Sequence, residues 1–140
     1  MAYVGVSSIF ALRFGTDQAT AMTKNTAVTV PIDGFPGVDG DGVIMPFAGA
    51  IVGVSLDHES APGTDNNLKA QPTINGAEIA GVCESGVSDK HSYASFSPDL
   101  YPVAIGDKIG SEVISDAATG TPTPNETVVT IFIQVGQSQT

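Results

Sequence analysis

Ala50-Ile51-Val52-Gly53-Val54-Ser55-Leu56-Asp57 is the stretch on which the fold turns. Successive side chains of an extended chain point to opposite faces. Ala50, Val52, Val54 and Leu56 therefore share one face, and Ile51, Gly53, Ser55 and Asp57 the other. The same reading applies to Thr127–Val135, with Val129, Ile131, Ile133 and Val135 on one side and Thr130, Phe132 and Gln134 on the other. In a third run, Ile109, Ser111, Val113 and Ser115 alternate with Gly110, Glu112 and Ile114, which predicts partial burial on both faces.

Working outward, β-capable runs recur at Ala27–Ile32, where Pro31 marks an edge or strand end, and at Val43–Phe47. Between them lie turn-forming loops: Asp33–Gly42, His58–Ala70, Ser85–Pro98 and Ala117–Asn125. Asn75-Gly76 stands between β-capable residues, and this pair tolerates the positive φ angles of a type I′ hairpin turn. Gly106-Asp107-Lys108 reads as a turn feeding the Ile109 strand. No convincing amphipathic helix is present. Seven or eight short strands joined by tight turns predict an all-β fold, an antiparallel β-sandwich of jelly-roll type. The expected core comprises Val52, Val54, Leu56, Ile74, Ile109, Val113, Val129, Ile131 and Ile133.

Residues 1–26 differ from the sandwich expected over 27–140. An apolar start (Tyr3, Val4, Val6, Ile9, Phe10, Leu12, Phe14) is followed by a polar stretch to Thr26. Its period leaves two readings open: an N-terminal arm that packs on a neighbour, or an extra first strand. On the arm reading, Tyr3, Ile9 and Phe10 anchor in a neighbour's pockets, and Asp39 and Asp41 of the acidic loop meet a basic patch on a partner.

The 140 residues fit one domain. Fifteen Asp and Glu against five Lys and Arg give a net charge of -10. This excludes the basic face that a nucleic-acid binder needs and disfavours an anionic membrane. No apolar run approaches the ~18 residues of a membrane span, and the N-terminus lacks a secretory pattern. Cys83 is the single cysteine, so no intrachain disulfide can form, which suits a reducing cytoplasm.

Phosphate-loop, dinucleotide and nucleophile-elbow motifs are absent. Cys83 and His91 are the residue types of a thiolate–base pair, yet a lone Cys in an apolar stretch reads as a small packed residue. Asp39 and Asp41 could offer two oxygens to a hard cation, but Ala50 stands where a calcium loop needs its bidentate Glu. Neither metal nor cofactor is expected, and the chain reads as non-enzymatic. The sequon Asn125-Glu126-Thr127 reads as a chance match.

Met45-Pro46-Phe47-Ala48-Gly49-Ala50-Ile51-Val52-Gly53-Val54-Ser55, then Ile74-Asn75-Gly76, then Ile105-Gly106-Asp107-Lys108-Ile109 and a final apolar strand form a familiar series. Across roughly residues 43–135 it resembles the small β-sandwich proteins of tailed bacteriophages, among them capsid decoration (cement) proteins. It also resembles the trimeric jelly rolls of the tumour-necrosis-factor and C1q type. The resemblance implies a homotrimer on the outer capsid surface, assembled in the host cytoplasm, that holds neighbouring copies of the major capsid protein together. It brings no catalytic residues. The alternative is a receptor- or glycan-binding module of a phage fibre or spike.

Overall fold

A computed structural model of the chain describes residues 8–16, 26–30, 32, 42–58, 68–79, 83–85, 91–115 and 127–136. Among these residues there are eleven strands and no helix. They are β1 (Ser8–Thr16), β2 (Val28–Val30), β3 (Val43–Ile44), β4 (Gly49–Asp57), β5 (Leu68–Ile74), β6 (Ala77–Glu78), β7 (Cys83–Ser85), β8 (His91–Ser95), β9 (Pro102–Val103), β10 (Lys108–Ile114) and β11 (Thr127–Val135). β3 falls in the expected run Val43–Phe47, but β8 lies within Ser85–Pro98 and the start of β5 within His58–Ala70, both expected as loops.

The strands form two antiparallel sheets. The first runs β1-β11-β4-β8, with β9 also paired to β4. The second runs β2-β10-β5-β6, with β3 paired to β10 and β7 to β5. With the two-residue strands set aside, the order is nested. The first strand lies beside the last, and the second beside the last but one. This is the jelly-roll form of the antiparallel sandwich, as the alternation and turns predict.

The core lies between the sheets. Phe14, Ile51, Val54, Leu56, Val129, Ile131 and Ile133 from the first meet Val30, Leu68, Ala70, Ile109 and Val113 from the second, all buried. At the centre β11 alternates as its sequence demands: Val129, Ile131 and Ile133 are fully buried and Phe132 is exposed.

One reading left open is decided and one expectation is corrected. Of the arm and the extra strand, residues 8–16 form the strand, paired with β11 from Ser8↔Val135 to Thr16↔Thr127. In that register Phe10 and Leu12 pack against the core and Phe14 is buried within it. A bridge between Phe14 and Ile32 ties this strand to the segment after β2. The correction concerns β4. Phe132 pairs with Gly53 but Ile133 pairs with Ile51, so Val52 is an extra residue opposite β11. Such a bulge breaks strict alternation. Ile51 therefore enters the core, and Val52, expected there, is only partly buried. Ile74, also expected inside, packs against the core from its margin.

Candidate interaction surfaces

Two surfaces emerge from this framework. The first is the tip where three loops meet. Asn75 and Gly76 both adopt positive φ, 53° and 82°, and close the β5–β6 hairpin as their sequence predicts. Gly106, at φ 89°, closes a second turn, in which Asp107 N donates to Ala104 O at 3.1 Å. A carboxylate and an amide lock the two turns together. Asn75 Nδ2 donates to Asp107 Oδ1 at 2.8 Å, and Asn75 Oδ1 accepts from Lys108 N at 2.9 Å. Asp107 Oδ2 accepts from Ala104 N at 2.8 Å. The bond from Ala104, followed by that from Asn75, holds the Asp107 pKa below the ordinary carboxylate range.

The third loop, from β3 to β4, joins through Met45, whose N–H donates to Asp107 O and whose carbonyl accepts from Gly106 N, both at 2.8 Å. Further along, Gly49 pairs with Val103. Residues 45–49 and 103–107 are thus joined at both ends. Phe47 and Ile105, one in each segment, are exposed, 61% and 71%, and Ile44, paired with Lys108, is 59% exposed. A hydrogen-bonded tip carrying three exposed apolar side chains is pre-organised for contact, because little ordering remains to be done on binding.

The second surface is the outer face of the first sheet. Core residues alternate with outward ones, so Ile9, Ala11, Arg13, Val128, Thr130, Phe132, Ser55, Asp57, His91 and Tyr93 point away from the core. Tyr93 is 82% exposed and Ile9 63%. Ile9, Val52, Gly53, Tyr93, Ala94 and Phe132 are among the residues around a shallow groove of about 270 Å³. At the margin of this face His91 Nδ1 lies 2.6 Å from Asp57 Oδ1. The two residues are direct cross-strand partners, and both side chains are largely exposed, so the pair ties β8 to β4 on an open surface.

Of the contact residues expected from sequence, Ile9 lies on this outer face, while its neighbour Phe10 turns the other way and packs against the core. Tyr3, Asp39 and Asp41 lie outside the described residues, as do the side chain of Cys83 and the sequon at Asn125. Among the described residues no group of three or more His, Cys, Asp or Glu is placed to hold a metal ion. Sequence reasoning passed over Asn75 and Asp107 as turn formers. Their link spans 32 residues, so no local pattern signals it.

No protein-family model matches the chain, and no curated protein matches it. Among solved structures it is similar to the acid-stable capsid of Helicobacter pylori bacteriophage KHP30. That match has 12% identity and a TM-score of 0.48, covering 100% of this chain and 99% of that one. It is also similar to Cocksfoot mottle virus, at 9% identity and a TM-score of 0.46, over 94% of this chain and 95% of the other. A third is the globular domain of zebrafish complement 1qA, at 13% identity and a TM-score of 0.48, over 88% and 94%. Viral shell proteins are thus among the structures it is similar to.

Proposed function

We propose that this chain is a non-enzymatic virion structural protein. It decorates the outer surface of a phage capsid as a homotrimer assembled in the host cytoplasm, and stabilises the shell by bridging neighbouring copies of the major capsid protein. The observation that carries this reading is the locked tip with Ile44, Phe47 and Ile105 exposed. Exposed apolar side chains on a rigid support are what a protein-docking element requires. The resemblance read from residues 43–135 supplies the kind of partner. Tyr3, Asp39 and Asp41 are proposed as further contacts, with the two carboxylates steering the approach to a basic patch.

The test is add-back of purified protein to heads lacking it. The expected result is saturable, stoichiometric binding and a higher temperature of head rupture. The double variant Phe47→Ser/Ile105→Ser should stay folded and bind at least about tenfold more weakly, as loss of a buried anchor implies. The exposed ring of Tyr93 favours a second reading, a glycan-binding module, since an exposed aromatic can stack on a sugar. Binding to host cells but not to heads would establish that reading and overturn the first.

A further inference from the structure

Asn75-Gly76 is the chain's single Asn-Gly pair, and both residues are exposed. Asparagine is among the thermally labile residues, and a following glycine brings no side chain to hinder its reaction with the main chain. That reaction is intramolecular. The Gly76 nitrogen attacks the Asn75 carboxamide carbon, a new C–N bond closes a cyclic imide, and the carboxamide nitrogen leaves as ammonia, taking the Gly76 proton. Water then opens the imide at either carbonyl. The product is aspartate, or an isoaspartyl link that carries the main chain through the former side chain. The space beside Gly76 is open, since a Cβ built there meets no atom within 4 Å.

The rest of the tip opposes this step. Asn75 N donates to Lys108 O at 2.8 Å, and Lys108 N donates back to Asn75 Oδ1 at 2.9 Å. Asn75 Nδ2 donates to Asp107 Oδ1 at 2.8 Å. Both ends of the carboxamide are therefore held against the neighbouring turn, and its carbon is not free to swing over the Gly76 nitrogen until those bonds break. The bond to Asp107 has an ionised acceptor, the stronger kind. The same carboxylate accepts Ala104 N on its other oxygen, so it is itself fixed.

We propose that Asn75 is a deamidation site gated by the Asp107 clamp, and that the reaction, once it occurs, unlocks the tip. An aspartate there has no N–H to give. It sets a second carboxylate against that of Asp107, where the donor stood at 2.8 Å. Like charges so close repel. The isoaspartyl product instead adds an atom to the main chain of a turn whose φ angles, 53° and 82°, are those of a tight hairpin. Either product loosens the support under Ile44, Phe47 and Ile105 and ends the pre-organisation of that surface. Opening of the tip is thus recorded irreversibly, molecule by molecule. The proposal stands whatever partner the tip meets.

The test follows residue 75 in the purified full chain, held in warm, mildly alkaline buffer, by peptide mass spectrometry. Three samples are compared: the folded wild type, the wild type unfolded in guanidinium chloride, and Asp107→Ala, with folding checked by circular dichroism. The unfolded sample gives the rate of the pair without a clamp. The folded wild type should react at least about tenfold more slowly, the factor that a hydrogen bond to a charged group implies. Asp107→Ala should recover most of the difference. Equal rates in folded and unfolded wild type overturn the gate, and this comparison needs no variant. A folded Asp107→Ala that reacts at the wild-type rate overturns Asp107 as its keeper. Asn75→Asp, made directly, reads the consequence on its own. Hydrogen exchange at the Met45, Ala104 and Gly106 amides, each bonded within the tip, should quicken at least about tenfold, while Val129 and Ile131 keep their wild-type rates. Unchanged exchange at those three amides would show that the product leaves the tip locked, against the proposal.

Discussion

The two sheets of this sandwich share one core but treat their outer faces differently. In the second, Thr29, Lys69, Gln71, Glu112 and Ile114 point away from the core, a mixed and mainly polar set. In the first, Ile9, Val52, Tyr93 and Phe132 occupy the equivalent side, where Arg13 is the one Lys or Arg and Asp57 the one Asp or Glu. Electrostatics separates them further. Glu112 has its pKa raised by desolvation and then by the nearby Glu78 carboxylate, so negative charge crowds the second sheet. Burial of the inner face alone would not demand an apolar outer face.

The most severe way to break this comparison is to detach β1. Phe14 is completely buried, and β1 carries Ile9 on the apolar outer face. Phe14→Ala should destabilise the chain by about 3–5 kcal/mol in urea unfolding. A wild-type unfolding curve would mean that β1 is an appendage and the face ends at β11.

A smaller effect is expected at the tip. Asn75→Ala removes two side-chain hydrogen bonds and forces a Cβ-branch-free but still unfavourable residue into positive φ. The cost should be about 1–2 kcal/mol. The variant should also soften the response to acid. The folded-state pKa of Asp107 is depressed, so its contribution is complete above the unfolded pKa and is lost as pH falls through the folded one. Without the Asn75 bond, less remains to be lost on acidification. Thermal melts of both proteins from neutral to acidic pH check this, and parallel curves would remove Asn75 from the clamp.

The smallest effect sharpens the comparison from the second sheet. The raised folded-state pKa of Glu112 means that its charge opposes folding above that pKa, and protonation relieves it. Glu112→Gln should stabilise the fold at neutral pH by about 0.5 kcal/mol or less, as for most surface changes, read in urea unfolding. The gain should vanish below the unfolded carboxylate pKa. A gain that persists there would assign the effect to packing.

Much of the fold was legible because local rules reported it. Val129, Ile131 and Ile133 show the period of two in the sequence, and Asn75-Gly76 adopts the backbone its residues favour. What was not legible depends on neighbours. Nothing local distinguishes a first strand from an arm, and only the register with β11 places Phe14 inside. The inward set of β4 changes at Val52 because β11 skips that residue. The interaction surfaces were harder still. Ile9 was singled out by its apolar setting, but Phe47, Ile105 and Tyr93 look like ordinary residues of short strands and turns. Their exposure is decided by how distant loops meet.

The bulge in β4 has a consequence for how length changes are tolerated. Ile51 faces inward on one side of it and Val54 on the other, with Val52 as the surplus residue. Excision of Val52 alone would restore an even ladder and keep Gly49, Ile51, Val54 and Leu56 in phase. Excision of Val54 would instead remove a core residue and bring Gly53, with no side chain to bury, opposite Ile131. One strand thus holds a dispensable letter two residues from an indispensable one, and the dispensable letter is among those that line the groove.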